Sequence, residues 1–187
     1  DDIYFCGNYG DPLLNDQLIE MCRYAKDYKP SIYIRIHTNG GIRNRSYWAE
    51  LVDALPEKHL VVFAIDGLED TNHIYRIGTN FKKIIENANS FINNGGIAEW
   101  AYIIFKHNEH QTVEAEELAK SMGFKNFTKK NSNRFMLEDT FDVYDKNKNL
   151  IYRLEPPTEN KVVFFDKNII NTYKEVAKNS EIKCMAI

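Results

Sequence analysis

The chain has 187 residues, 43% of them hydrophobic and 27% charged, with a formal net charge of −3. That is enough apolar material for one well-cored domain with a small appendage. The Lys and Arg residues are scattered, which gives neither an electrostatic footprint for nucleic acid nor a basic amphipathic segment for a membrane surface.

Cys6, Cys22 and Cys184 are odd in number and far apart, which argues against a disulfide framework and against a self-contained cysteine-rich metal site. The longest apolar run, 60–65, is far too short to span a bilayer, and no secretory pattern opens the chain. The expectation is a cytoplasmic protein with no nucleic-acid or membrane partner. Asp1-Asp2 running at once into a strand, and the apolar stretch at the far end, lead to the further expectation that both ends are cut.

Ile3-Tyr4-Phe5-Cys6 reads as a strand and Gly7-Asn8-Tyr9-Gly10 as the turn after it. Asp11 is expected to cap a helix with Pro12 at its first position, where a missing N–H costs nothing. Leu14, Leu18, Cys22 and Ala25 recur on one helical face that ends before Lys29-Pro30. Residues 31–37 alternate Ile32, Ile34 and Ile36 with Tyr33 and Arg35, a strand pattern followed by a turn at 38–41. Ser46 is expected to cap a helix carrying Trp48, Leu51, Val52 and Leu55, which Pro56 closes. The run 60–65 reads as a strand buried on both faces and ends in Asp66-Gly67.

Residues 68–79 read as irregular and polar. Phe81, Ile84, Ile85, Ala88, Phe91 and Ile92 form the clearest helical stripe, stopped at 93–96. Residues 97–105 predict another strand. Asn108, with Gln111 three residues on, resembles a capping box opening a helix through Ala115, Leu118, Ala119 and Met122, which Gly123 ends. Residues 124–128 predict a further strand. This β-α alternation implies a parallel sheet with right-handed crossovers, either doubly wound or curled into part of a barrel.

From about 131 the pattern changes. Residues 141–145 and 150–154 alternate around a polar 146–149 and predict a β-hairpin. Residues 161–165 read as one more strand, and Asp166 as the cap of a helix with Ile169, Ile170, Tyr173 and Val176 on one face. The expected organisation is a core over 1–130 and a small α+β extension over 131–187.

Ligands of parallel α/β folds bind beyond the carboxyl ends of the strands. Here those ends carry Gly7 to Asp11, His37-Thr38-Asn39-Gly40, Asp66-Gly67 and Lys106-His107-Asn108, residue types able to line one polar cleft. Other chemistries find less support. There is no G-x-S-x-G elbow and no phosphate-binding G-x-x-x-x-G-K-[ST] loop, and Gly7-x-x-Gly10 lacks the third glycine of a dinucleotide fingerprint. The five histidines include no H-x-x-x-H pair, and Asp11 with Asp66 is a possible acid–base pair.

Taken in order, several of these residues resemble the radical S-adenosylmethionine (SAM) enzymes. Gly10-Asp11-Pro12-Leu13-Leu14 after a strand is similar to the family's G-G-E-P-L-L, with Asp for Glu. Thr38-Asn39-Gly40 matches its T-N-G, and Ala64-Ile65-Asp66-Gly67 its S-I-D-G, with Ala for Ser. Residues 73–78 resemble its H-x-x-x-R-G stretch, which supplies Arg76; Asn108 resembles its Asn after the fifth strand. The resemblance covers roughly residues 3–127.

The resemblance implies a partial (β/α)6 barrel with its first strand missing. S-adenosylmethionine would be held by Asn8, Gly10, Asp11, Pro12, Thr38, Asn39, Gly40, Asp66, Arg76 and Asn108. The glycine turn would offer carbonyls to the ammonium group, Asn39 and Asp66 would lie near the ribose or methionine part, and Arg76 would face the carboxylate. Such enzymes cleave SAM to a 5′-deoxyadenosyl radical that abstracts a substrate hydrogen, with an external electron donor and, for chains extended in this way, a peptide or protein substrate. The family's C-x-x-x-C-x-x-C loop for a four-iron, four-sulfur (4Fe–4S) cluster is not in this sequence. The expectation is that it lies upstream, and that this chain alone binds no catalytic cluster and is inactive. The extension resembles the start of a SPASM or twitch domain, which makes Cys184 an expected auxiliary-cluster ligand. Two other classes remain open: a non-catalytic α/β module that binds a small molecule, and a metal-dependent barrel hydrolase or lyase.

Overall fold

Five parallel strands form one sheet: β1 (Asp2–Phe5), β2 (Tyr33–Thr38), β3 (His59–Ala64), β4 (Ala98–Ile104) and β5 (Asn126–Asn131). The computed structural model describes residues 1–159 apart from Asn8, Leu137, Glu138 and Lys146. The expected strand at 161–165, the helix after Asp166 and Cys184 lie outside the described residues.

The spatial order of the strands is the chain order, β1-β2-β3-β4-β5. The crossovers carry α1 (Leu18–Tyr28), α2 (Arg45–Ala54), α4 (Phe81–Asn93) and α5 (Thr112–Met122), with a single-turn α3 (Asn72–Tyr75) ahead of α4. An order that never reverses has no topological switch point, which removes the doubly wound alternative. What remains is the barrel-type α/β sheet that the sequence predicts.

Strand alternation divides the sheet into two faces. Ile34, Ile36, Val61, Phe63 and Trp100 are fully buried against the helices. Trp48 of α2 stacks on Phe63 with ring centroids 5.1 Å apart and meets Phe91 of α4 edge-on at 6.0 Å. Removing one such ring costs about 3–5 kcal/mol, because the close-packed neighbours collapse only in part. The opposite face carries Tyr4, Arg35, His37, Val62, Glu99 and Lys130, an unusual proportion of polar groups for the middle of a sheet.

Three local expectations change. Asn44, not Ser46, caps α2: its Oδ1 accepts from the Tyr47 N–H at 3.0 Å, and Ser46 only donates to that same oxygen. Pro12 opens a single 3-10 turn (Pro12–Leu14) under the Asp11 cap, and α1 starts four residues later. The break in phase buries Leu13 and leaves Leu14 at the surface. Residues 68–79 are not wholly irregular, since Leu68, Thr71 and Asn72 organise α3 through main-chain bonds.

The hairpin forms as expected from β6 (Phe141–Tyr144) and β7 (Leu150–Leu154), paired antiparallel. Val143 and Leu154 pack with Phe105, Tyr75 and Phe135, and the Lys106 N–H donates to the Glu155 carbonyl at 3.1 Å. The hairpin therefore walls the carboxyl end of β4. Among the described residues no helix is long and apolar enough to cross a membrane.

Candidate functional site

Two hydrogen-bonded groups occupy the carboxyl ends of the strands. The first joins β1 to β2. Asp11, held by the β1 turn, accepts from the Leu13 N–H at 3.1 Å as a helix cap. The same carboxylate accepts from the Thr38 hydroxyl at 2.8 and 3.0 Å and from the Asn39 N–H at 2.8 Å. Thr38 and Asn39 then fold back on their own turn, their side-chain oxygens accepting from the N–H groups of Gly40 and Gly41 at 3.0 and 2.8 Å. Gly40 has φ +72, and a Cβ there would stand 2.8 Å from the Phe63 ring, so the tight turn requires glycine.

The second group joins β3 to β4. Asp66 is fully buried, and its carboxylate accepts from Arg76 Nε at 2.6 Å and from the Ile103 N–H at 2.6 Å. Burial pushes this carboxyl up, while the Arg76 guanidinium and the Ile103 N–H pull against that push. Asn108, also fully buried, donates to the main-chain carbonyls of Asp66 and Ile103 at 2.8 and 3.0 Å and accepts from the Phe105 N–H at 2.7 Å. It makes no side-chain cap to the helix that follows, so the expected capping box is replaced by a clamp between strands. Gln111 likewise reaches across, accepting from the Leu68 N–H at 3.1 Å and from Thr71, and donating to Asp70 at 2.7 Å.

Asn72 connects the groups. Its Oδ1 accepts from the Asp66 N–H at 2.9 Å and its Nδ2 donates to Thr79 at 3.1 Å, while Thr79 lies against Gly41 of the β2 turn. Asp11 and Asp66 fall in separate groups with their oxygens already engaged, an arrangement that positions loops rather than pairing an acid with a base.

Of the residues the sequence singled out, Gly10, Asp11, Pro12, Thr38, Asn39 and Gly40 come together at the β1–β2 end, and Asp66, Arg76 and Asn108 at the β3–β4 end. Asn8 lies outside the described residues. The Gly7 and Gly10 turn is exposed, with Gly7 at φ +72 and Gly10 at φ +130, which leaves its main chain approachable. Asn72, Thr71, Gln111 and Thr79 were missed by sequence reasoning. Nothing local marks them, because their partners are distant in the chain. Cys22 is sealed in the apolar core, where burial pushes its thiol up to about 11, and Cys6 is exposed on the β1 turn. Among the described residues no group of three His, Cys, Asp or Glu side chains could hold a metal ion.

No family model matches the sequence, and no curated protein matches it. Solved structures do. Native anSMEcpe with bound AdoMet superposes with a TM-score of 0.54 at 19% identity over 78% of this chain and 40% of that one. SuiB from Streptococcus suis gives 0.58 at 15% identity, over 96% of this chain and 36% of that one. TYW1 with a lysine-pyruvate adduct gives 0.52 at 12% identity, over 86% and 58%. The fold is that of a radical SAM core. The chain spans between 36% and 58% of the length of these radical SAM enzymes and so resembles only part of each. SuiB has also been solved with S-adenosylmethionine and with the precursor peptide SuiA, and anSMEcpe with a Cp18Cys peptide.

Proposed function

We propose that this chain binds S-adenosylmethionine at the carboxyl ends of β1 to β4, as the cofactor-holding core of a radical SAM enzyme that acts on a peptide. The observation that carries the reading is the state of Arg76. It engages Asp66 through Nε alone, so its two terminal nitrogens have no hydrogen-bond partner among the described residues. A guanidinium anchored at one edge by a buried carboxylate and open at the other is suited to a second, incoming carboxylate. The donor set fits the amino-acid part of the cofactor. Carbonyls of the Gly7–Gly10 turn would accept from its ammonium group, and Arg76 would take its carboxylate. Asn39 borders the same space from the β2 turn. Asp66 and Asn108 act at one remove, by fixing Arg76 and the strand ends.

When bound in such enzymes, S-adenosylmethionine supplies a 5′-deoxyadenosyl group for hydrogen abstraction. The iron–sulfur cluster which that chemistry requires does not fit this chain's described residues: Cys22 is enclosed and Cys6 stands without a neighbouring ligand set. β1 is an edge strand, and beside it α1 leaves a groove of about 630 Å³ lined by Ile3, Phe5, Met21, Tyr24, Tyr28 and Ile32. That edge suits a further strand and helix, from which cluster ligands would come. A peptide as substrate and an external electron donor follow from the same reading.

Calorimetric titration of the purified chain with S-adenosylmethionine tests it. Binding is expected in the micromolar to millimolar range, and Arg76→Lys, which keeps a charge against Asp66 but removes the fork, is expected to weaken it about tenfold. No heat change and no rise in melting temperature at saturating cofactor would overturn the proposal in favour of a different small-molecule module.

A further inference from the structure

The polar face of the sheet holds a cluster that the cofactor reading does not use. Arg35 and His37 share that face of β2; Glu99 faces the same side from β4 and Lys130 from β5. Between them the strands present Val62, Ala64 and Ala101, residues short enough to leave a shallow floor. The charges are incompletely matched. Arg35 Nη2 stands 3.6 Å from Glu99 Oε1, longer than a hydrogen bond, although the Glu99 side chain is only 9% exposed. Arg35 Nε is buried and has no hydrogen-bond partner, and among the described residues Lys130 has no ion-pair partner. The ring of His37 is held below its ordinary value first by burial and then by Arg35 and Lys130, with Glu99 opposing, so two cations prevail over one anion at this spot. A buried, unsatisfied guanidinium N–H beside an unpaired ammonium group is arranged for an anion that is absent from the chain itself.

We infer that this face carries a subsite for a carboxylate of the substrate, held by Arg35 and Lys130 over the Val62, Ala64 and Ala101 floor with Glu99 steering the guanidinium. The inference deepens the cofactor reading, since it places the substrate's anionic end on the sheet face below the strand ends that would hold S-adenosylmethionine. A planar carboxylate matches the Arg35 fork, and the small floor leaves room for the carbon that bears it. In a peptide that group is either an acidic side chain or the free carboxyl terminus.

The test uses the whole chain with nitrogen-15-labelled arginine, in the absence of S-adenosylmethionine, and follows the Arg35 Nε–H resonance. The probes are N-acetylglutamate amide (side-chain carboxylate), N-acetylalanine (terminal carboxylate) and the neutral N-acetylglutamine amide. At least one carboxylate is expected to shift the Arg35 signal at concentrations up to about 50 mM, while the neutral probe leaves it in place. The tighter of the two carboxylates identifies the source. Lys130→Met, whose retained spectrum reports folding, is expected to weaken that binding about tenfold. An Arg35 signal that stays still, that moves equally with the neutral probe, or that responds unchanged in Lys130→Met overturns the inference. The Arg76 resonance, followed separately on adding S-adenosylmethionine, reports the cofactor reading, so either can fail without the other.

Discussion

The Asp11 carboxylate accepts from the Thr38 hydroxyl at 2.8 Å while capping the turn at Pro12, so one side chain fixes the β1 loop to the end of β2. Three donors converge on it: the Leu13 N–H, the Thr38 hydroxyl and the Asn39 N–H. Asp11→Ala strands all three in a half-buried place, and a cost of about 2–3 kcal/mol is expected in urea unfolding. Asp11→Asn keeps one acceptor oxygen and is expected to lose roughly half as much. If Asp11→Ala melts within a degree of the parent, the loops are held by packing and this carboxylate is dispensable.

The ion pair between Asp66 and Arg76 differs from the surface pairs because the carboxylate is wholly enclosed and the guanidinium only a quarter exposed. Removing the cation alone leaves a buried charge with the Ile103 N–H as its remaining partner. Arg76→Ala is therefore expected to cost about 3 kcal/mol or more, and Asp66→Asn less, since an amide oxygen still accepts from Ile103. The double variant should cost clearly less than the sum of the two singles. Additive losses in the cycle would mean that the two side chains do not act as a unit.

What the sequence made legible follows from the range of the interactions involved. The strands and α4 were readable because their periodicity is local, and the cap of Asp11 before Pro12 because a cap and its first turn lie within three residues. Ser46 and Asn44 are both good cap residues, and only the extended backbone of Asn44, at φ −112 and ψ 172, decides between them. Asn108 was expected to bond locally, three residues ahead. Its amide is instead consumed by Asp66, on a neighbouring strand, and no spacing rule carries that information. The alternation of Tyr33, Arg35 and His37 against isoleucines was visible, but not that Glu99 and Lys130 would face the same side, since strand order and register decide it.

Asn108 offers a sharper test of the strand clamp. Its amide donates both hydrogens to main-chain carbonyls and its oxygen accepts one N–H, all in full burial. Asn108→Asp places a carboxylate oxygen against the carbonyls of Asp66 and Ile103, and is expected to cost more than Asn108→Ala, which merely leaves them unpaired at about 2–3 kcal/mol. The order Asp worse than Ala is the diagnostic outcome in denaturant titration. The reverse order would show that the amide oxygen, not the two N–H bonds, carries the clamp.

Acid should loosen the fold through buried histidines. His59 donates from Nδ1 to the Pro56 carbonyl at 2.7 Å and accepts the Ile97 N–H on Nε2 at 3.0 Å, a pattern only the neutral ring can make. Burial is the main reason its value lies below the ordinary one, and His107, stacked on Phe105 with centroids 5.3 Å apart, is driven down to about 4 by burial and by His110 and His73. Both folded-state values lie below the unfolded value. The stabilisation from keeping these rings neutral is complete above pH of about 6.5 and is lost as the pH falls through that value toward the folded one. The melting temperature is therefore expected to decline from about pH 6.5 to 4, beyond what the carboxylates contribute at the lower end. His107→Phe, which keeps the ring stack but has nothing to protonate, should flatten that decline without lowering stability at pH 7. A variant curve that runs parallel to the parent's across this interval would assign the acid sensitivity elsewhere, with His59, whose ring bridges the Pro56 loop and the start of β4, the next position to replace.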